Sequence, residues 1–230
     1  MPGFNYGRVA AVYETLGYIY SGRQIYDAKA SQIGEMKPLD RVLYVGIGPG
    51  EDALLAAQIG ASVTGLDLSV SMLKLAEDRM TNAGCKAEFL CADITQHDRT
   101  GFYDVVVVNF FLNVFKEEQM RQMLNHVATL VKPGGKLLIS DFMCPRGNAA
   151  ARAAQSLYWR VTNLFYYLIG LIAWHPVYDY PAYFAEAEVE LVSIREFRPW
   201  GISPVGFSSI TATRPIKKLT AISIPISAAG

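Results

Sequence analysis

The sequence predicts an α/β fold in which a mostly parallel sheet is covered by helices on both faces. From Arg41 onward, short β-rich runs alternate with longer helical segments, as in a sheet whose parallel strands are joined by helices. The run from Asp104 to Val108 is apolar after its first residue, which is typical of a central strand buried on both faces. With 230 residues, 51% of them hydrophobic and 18% charged, the chain can bury one sizeable core and is short for two.

The individual elements follow from hydrophobic periodicity and from the residues that start and stop helices. Ser69 is a good N-cap residue, and Leu73, Ala76 and Met80 recur on one face of the helix that it begins. Pro133 cannot continue a helix and predicts an abrupt end to the helix before it. In chain order, the predicted strands are 41–45, 62–66, 87–91, 104–108 and 136–140, and the predicted helices are 51–59, 69–82 and 116–130.

The pattern changes after residue 141. An aromatic helical region over about 148–173 precedes two further strands at about 189–198 and 205–213. Its most apolar stretch, Leu157 to Trp174, has only about a dozen uninterrupted apolar residues, whereas a membrane span needs about 20, so we predict a buried or interfacial helix. We divide the chain into an N-terminal helical lid (1–38), a sheet domain (39–214) with an aromatic insertion (about 145–187), and a tail (215–230).

Charge and cysteine usage exclude several classes of function. Lys plus Arg equals Asp plus Glu at 21 each, so no overall field attracts nucleic acid, and we expect no nucleic-acid partner. The three cysteines lack Cys-x-x-Cys spacing, which argues against a disulfide framework or a thiolate zinc site, and we expect no metal. The first residues do not form an apolar run preceded by positive charge, and we therefore expect a cytoplasmic protein.

A glycine-rich turn carries the strongest functional signal. Val45-Gly46-Ile47-Gly48-Pro49-Gly50 links the first strand to a helix, and glycines there allow a ligand to approach the backbone and the free N–H groups of the helix start. Asp67 ends the next strand, 21 residues after Gly46, where an acid can accept hydrogen bonds from both hydroxyls of a ribose. Asp93 follows the third strand, and we expect its carboxylate to take an adenine amino group.

Together these motifs resemble class I S-adenosylmethionine-dependent methyltransferases. The glycine turn, the acid after the second strand and Ala92-Asp93 after the third fall in that family's order, as do Tyr103-Asp104-Val105 in the fourth strand and Lys132-Pro133-Gly134-Gly135 before the fifth. Within the family, the chain is similar to the ubiquinone/menaquinone biosynthesis type, including the opening from Val9 to Glu14. The resemblance covers about residues 5–143 well.

The resemblance implies a three-layer, Rossmann-like sheet of seven strands, mostly parallel with the last strand antiparallel, behind an N-terminal helical lid. It also implies S-adenosyl-L-methionine as the cofactor and in-line transfer of its methyl group to a small or lipophilic acceptor, with quinone-like and aromatic compounds among the candidates. The residues that it assigns to cofactor binding are Tyr13, Tyr44, Gly46, Gly48, Gly50, Asp67, Leu68, Met72, Ala92, Asp93, Ile94 and Asn109.

The chain departs from the family's pattern at two positions. Tyr44 stands where the family usually has an acid that helps to hold the methionine ammonium, so a tyrosine hydroxyl, a water or another acid is expected to do that work. The segment from Asn109 to Asn113 contains neither an acid nor the Asn-Pro-Pro-Tyr sequence of amine-modifying nucleic-acid methyltransferases. We place Asn109 beside the methionine moiety, with a structural strand end as the alternative.

The acceptor side is defined less sharply. His175 lies in a connection rich in Trp, Pro and Tyr, and Asp141 follows the fifth strand on the cofactor rim; both are candidate catalytic residues, with structural roles left open. The aromatic residues between Tyr158 and Phe184 exceed what one covering helix needs. We interpret them as an apolar acceptor pocket or as a contact with a membrane surface or a partner, with association of chain copies also left open.

Three other classes of function compete with methyl transfer. A nicotinamide dehydrogenase shares the strand, glycine turn and ribose acid, but its turn is normally Gly-x-Gly-x-x-Gly, and no tyrosine here has a lysine four residues later. Tyr44 also permits a relative that uses S-adenosylmethionine in non-standard chemistry. The third class is a catalytically silent cofactor-binding protein of the same fold.

Overall fold

The computed structural model describes residues 23–168, 176–198 and 206–216. Within these residues, seven strands form one sheet in the order β3-β2-β1-β4-β5-β7-β6. All paired strands among β1 to β5 are parallel, and β7 runs antiparallel to both β5 and β6. The strands are β1 (Arg41–Val45), β2 (Ser62–Asp67), β3 (Glu88–Cys91), β4 (Tyr103–Val107), β5 (Val131–Phe142), β6 (Glu190–Phe197) and β7 (Phe207–Thr213).

Helices cover both faces of the sheet. The described helices are α1 (Gln24–Ala30), α2 (Glu51–Gln58), α3 (Val70–Asn82), α4 (Glu117–Leu130) and α5 (Ala149–Leu168). Short 3₁₀ turns occupy Ser31–Glu35, Ile94–Gln96, Leu112–Val114 and Tyr180–Tyr183.

The core divides into two layers because successive strand residues face opposite sides of the sheet. Leu43 and Val106 pack in the layer that contains α4, and Val42 and Val105 pack in the layer that contains α2 and α3. All four side chains are at most 2% exposed. The sheet is therefore buried on both faces, as the continuous apolar run in β4 predicts.

The predicted strands and helices between residues 41 and 130 are present, with bounds shifted by at most one residue at each end. Strand β5 differs most, since it begins at Val131 rather than at residue 136. The pairing of β4 with β5 shifts register between Val131 and Lys136, so Pro133 lies in an irregular stretch that tolerates the loss of its N–H.

The outer parts of the chain are described only in part. Helix α1 and the turn at Ser31–Glu35 lie within the predicted lid, whose residues 1–22 are outside the described residues, so the lid and the domain bounds stay predictions. Three apolar side chains of α5, those of Leu157, Val161 and Leu164, are exposed. Contact of this face with a membrane or a second copy stays a prediction.

No helix in the described ranges is both long enough and apolar enough to cross a membrane.

The fold brings the predicted ligand residues to one rim of the sheet. The glycine turn follows β1, Asp67 ends β2, Asp93 follows β3, and Asn109 follows β4 closely. Because these strands are parallel, their carboxyl ends lie together, which is where open α/β sheets bind their ligands.

The packing of Gly50 gives a test of this architecture. Gly50 and Gly84 both have positive φ, 73° and 69°, but a Cβ on Gly50 would lie 2.9 Å from the Cβ of Ala76, whereas a Cβ on Gly84 meets nothing within 4 Å. We expect Gly84→Ala to lower the free energy of unfolding by about 1–2 kcal/mol through backbone strain alone. Gly50→Ala should cost about 1–3 kcal/mol more because of the clash. Urea denaturation of the two variants measures the difference, and equal losses would contradict close packing of α2 on α3.

Candidate cofactor and acceptor site

The glycine turn is held against β2 by its own backbone. The N–H groups of Gly46 and Ile47 both donate to the carbonyl oxygen of Leu66, at 2.8 and 3.1 Å. Gly46 and Gly48 have φ values of 66° and 54°, which residues other than glycine rarely adopt. A Cβ on Gly48 would meet no heavy atom within 4 Å, so the middle of the turn presents bare backbone to open space.

Asp67 ties the end of β2 to this turn. Its Oδ2 accepts the N–H of Gly48 at 3.0 Å, and its Oδ1 accepts the N–H of Ser69 at 2.9 Å. The residue is half-buried. Each oxygen of an ionised carboxylate has about two acceptor sites, so both can accept a further hydrogen bond from a ligand.

The residues after β2 and β3 continue the rim. Asp67 pairs in register with Cys91, and this places Ala92 and Asp93 beside the start of α3. The Oδ1 of Asp93 accepts the N–H of Thr95 at 2.9 Å. That hydrogen bond and a second one to the Thr95 side chain hold the pKa of Asp93 below its usual value. Of the other predicted ligand residues here, Leu68 is exposed, Met72 is half-buried, and Ile94 is buried.

The side-chain amide of Asn109 joins four parts of the chain. Its Nδ2 donates to Gln32 Oε1 at 2.9 Å and to Asp52 Oδ2 at 2.8 Å. Its Oδ1 accepts from Gln32 Nε2 at 3.0 Å and from the backbone N–H of Ser140 at 2.8 Å. Both donors and both acceptor positions of the amide are thus used, and Asn109 is fixed between β4, β5, α2 and the turn after α1.

Two charged residues of this cluster, Asp52 and Lys29, do not follow from sequence reasoning. Asp52 is 4% exposed, and its Oδ1 lies 3.8 Å from the Nζ of Lys29, whose side chain is 18% exposed. An acid in the first turn of a helix is common because it complements the helix dipole. The pair Glu51-Asp52 therefore does not predict that the side chain of Asp52 is buried.

The structure gives Tyr44 a definite contact. Its hydroxyl donates to the backbone carbonyl oxygen of Asp52 at 3.2 Å, and its ring is buried. Burial, followed by the nearby charge of Asp52, raises the pKa of Tyr44 well above its ordinary value, so the phenol stays protonated. The end of the side chain at position 44 therefore reaches Asp52, and its contact with a cofactor stays a prediction.

Asp141 is enclosed at the end of β5 and is 2% exposed. Its carboxylate lies 2.5 Å from the hydroxyl of Tyr180 and accepts Asn113 Nδ2 and the N–H of Phe142, each at 2.7 Å. It does not cap α5, since Asn148 does so through Ala151. These contacts fasten the segment around Tyr180 to β5, and a part for Asp141 in catalysis stays a prediction.

Four aromatic rings cluster around the carboxyl ends of β4 and β5, and we call them the aromatic cluster: Phe110, Phe142, Trp159 and Phe207. Phe142 is central, with ring centroids 4.6 Å from Trp159, 5.7 Å from Phe110 and 5.8 Å from Phe207. Phe110 has a φ of 52°, a strained value of the kind that collects at functional sites. It directly follows Asn109, so the aromatic cluster adjoins the rim.

Two predicted site residues, Tyr13 and His175, lie outside the described residues. Across the described ranges, no group of three or more His, Cys, Asp or Glu side chains is placed to hold a metal ion.

Comparisons with known proteins point to one family. Residues 42–135 match the family described as "Methyltransferase domain". Over 109 residues the chain is 34% identical to phosphoethanolamine N-methyltransferase 1 of Arabidopsis thaliana, covering 46% of this chain and 22% of that protein. Over 158 residues it is 31% identical to the ubiquinone/menaquinone biosynthesis C-methyltransferase of Pseudomonas putida (strain GB-1), covering 63% of this chain and 59% of that protein. The chain thus spans less than two thirds of the length of either relative.

A solved structure shares the fold. It is 1,6-didemethyltoxoflavin-N1-methyltransferase from Burkholderia thailandensis, with bound 1,6-didemethyltoxoflavin and S-adenosylhomocysteine. The TM-score is 0.63 at 17% identity, and the match covers 92% of this chain and 89% of that one. The predicted seven-stranded, Rossmann-like sheet with an antiparallel last strand is confirmed.

The burial of Asp141 predicts a pH-dependent stability. Burial raises the pKa of Asp141 from 3.8 to about 7, so between pH 4 and 7 the unfolded chain loses this proton while the folded chain keeps it. The free energy of unfolding should therefore fall as pH rises through this window, by up to about 4 kcal/mol. Asp141→Asn cannot titrate, so the difference between wild type and variant, measured by urea denaturation at pH 4–8, isolates the effect. Parallel pH profiles would contradict it.

Proposed function

We propose that the chain is a class I S-adenosylmethionine-dependent methyltransferase, which the match of residues 42–135 to the methyltransferase-domain family supports, and that it transfers a methyl group from S-adenosylmethionine to a small, lipophilic acceptor. The observation that carries the proposal is the hydrogen bond from the Gly48 N–H to Asp67, 3.0 Å long. It joins the bare backbone of the glycine turn to a carboxylate whose oxygens can each accept a further hydrogen bond, at the rim where this fold binds ligands.

The residues at the rim fit S-adenosylmethionine. Asp67 would hold the ribose hydroxyls, since both of its oxygens are held in place by backbone N–H groups and can accept again. Gly48 leaves room beside the turn, because nothing lies within 4 Å of the position that a Cβ would take. Asp93 would hold the adenine amino group, and its lowered pKa keeps it ionised as an acceptor.

The cofactor supplies a methyl group on a sulfonium that is already activated toward displacement, so the protein mainly has to position the acceptor. Asn109 is well suited to define the inner wall of the site because all of its amide hydrogen bonds are made within the chain. Phe110 follows it and extends into the aromatic cluster. Residues 109 and 110 thereby connect the proposed cofactor side to the proposed acceptor side.

The aromatic cluster favours an apolar acceptor over a polar one. The two relatives have names that indicate different acceptors: one is a phosphoethanolamine N-methyltransferase, and the other is a C-methyltransferase of ubiquinone/menaquinone biosynthesis. The half-buried rings of the aromatic cluster, those of Phe110 and Phe142, lie at a centroid distance of 5.7 Å and form a wall that offers few partners to a phosphate. A quinone-like or other aromatic ring would stack on such a wall, and we propose this class of acceptor.

Transfer of a labelled methyl group tests the reaction. The protein is incubated with S-adenosylmethionine labelled in the methyl group and with a hydroxylated aromatic or quinol acceptor, or with phosphoethanolamine. We expect label in the extracted aromatic product and none on phosphoethanolamine. Label on phosphoethanolamine alone would contradict the acceptor class. Tight cofactor binding without transfer to either acceptor would instead support non-standard chemistry or a silent binding protein.

Replacement of Asp67 tests the cofactor side. Asp67→Ala removes two acceptors for the ribose and loosens the turn at Gly48, so the affinity for S-adenosylhomocysteine should fall by about a hundredfold or more, on the order of two hydrogen bonds to a charged group. Calorimetry measures the affinity, and Asp98→Ala, which alters an exposed loop acid, serves as the matched control. Unchanged affinity in the folded Asp67 variant would contradict the ribose assignment.

A further inference from the structure

We propose that Asp52 and Lys29 together bind the amino-acid end of S-adenosylmethionine, with Asp52 receiving the α-ammonium group and Lys29 the α-carboxylate. The inference rests on the proposed function, since it assigns the remaining end of the same cofactor. Of the three groups that the sequence leaves open for the methionine ammonium, it selects another acid, Asp52, over a water or the hydroxyl of Tyr44.

Asp52 is close to both the glycine turn and the end of β4. It lies in the first turn of α2, two residues after the last glycine of the turn, and its Oδ2 is 2.8 Å from Asn109 at the end of β4. The hydroxyl of Tyr44 lies 3.2 Å from the backbone carbonyl oxygen of Asp52. Asp52 therefore brings a carboxylate to the region that the side chain at position 44 reaches, where the chain has a tyrosine in place of an acid.

Asp52 also has an oxygen that can accept a hydrogen bond from an ammonium group. An ammonium group brings three N–H donors and needs oxygen acceptors. The Oδ1 of Asn109 already accepts two hydrogen bonds, from Gln32 and Ser140, and the hydroxyl of Tyr44 stays protonated and is directed at a carbonyl oxygen. The Oδ1 of Asp52 is 3.8 Å from Lys29, which is longer than a hydrogen bond. Of the polar groups around Asn109, this oxygen is the acceptor best able to receive an ammonium.

The charges of Asp52 and Lys29 also suit a zwitterionic ligand. The Asp52 and Lys29 side chains are 6% and 18% exposed, so the two charges balance each other in a largely dry setting. A zwitterion has one positive and one negative end and keeps the site neutral when it binds. Lys29 also lies 5.9 Å from the ring centroid of Phe110, which places the cation beside the residue that begins the aromatic cluster. The pair thus matches a ligand with both an ammonium and a carboxylate.

Two ligands that differ at the amino-acid end test the proposal. S-adenosylhomocysteine carries this end, whereas 5′-methylthioadenosine has the nucleoside and thioether without it. Calorimetry should show that Asp52→Asn lowers the affinity for S-adenosylhomocysteine by about tenfold or more, as for loss of a hydrogen bond to a charged group. The affinity for 5′-methylthioadenosine should change by no more than about twofold. Lys29→Gln should produce the same selective loss. Glu51→Gln, at the neighbouring acid that pairs with Arg79, is the matched control and should change neither affinity.

The outcomes separate this inference from the function on which it rests. If Asp52→Asn lowers the affinity for both ligands equally, Asp52 only holds the turn in place. If the affinity for S-adenosylhomocysteine is unchanged, Asp52 does not contact the ligand. Either result overturns the inference. Binding of 5′-methylthioadenosine by the wild type would still support the nucleoside site. If the wild type binds neither ligand, the cofactor site itself is wrong. Should Asp52→Asn fail to fold, the Lys29→Gln result decides.

Discussion

The side-chain amide of Asn109 is the constraint that holds the inner end of the site together. Its contacts with Gln32, Asp52 and the backbone of Ser140 join segments that are far apart in the sequence. Asn109 is half-buried, and an amide shielded from water is costly when it is left without partners, so a fully paired one favours a single arrangement. Because Phe110 and the glycine turn adjoin it, the positions of both sides of the rim depend on this group.

The rim has two parts with different physical character. Around Asp67, the backbone N–H groups of Gly48 and Ser69 supply the donors and the carboxylate remains half-exposed, a setting suited to a sugar that brings its own hydroxyl groups. Around Asp52, side chains supply nearly all the contacts, and the charged groups are largely buried. An amino-acid end that arrives with two charges matches the second setting, and the aromatic cluster beyond Phe110 matches an apolar acceptor.

The sequence predicts the features that depend on neighbours along the chain. Strand β1 has the predicted bounds, and Asp67 was found because its place follows from one glycine turn and one strand. The contacts of Asp52 could not be found in this way, because they join residues 57 positions apart and an acid after a glycine turn is explained equally well by the helix dipole. The start of β5 was also missed, since a register shift lets Pro133 lie inside a strand that proline ordinarily ends.

The most direct measurement is a crystal structure of the protein with S-adenosylhomocysteine bound. We expect the ribose hydroxyls within hydrogen-bond distance of Asp67 and the α-amino nitrogen within hydrogen-bond distance of Asp52 Oδ1, with the carboxylate toward Lys29. An α-amino nitrogen bound elsewhere, with the Lys29–Asp52 pair unchanged, would contradict the assignment of the methionine end. A ligand found away from Asp67 would contradict the site as a whole.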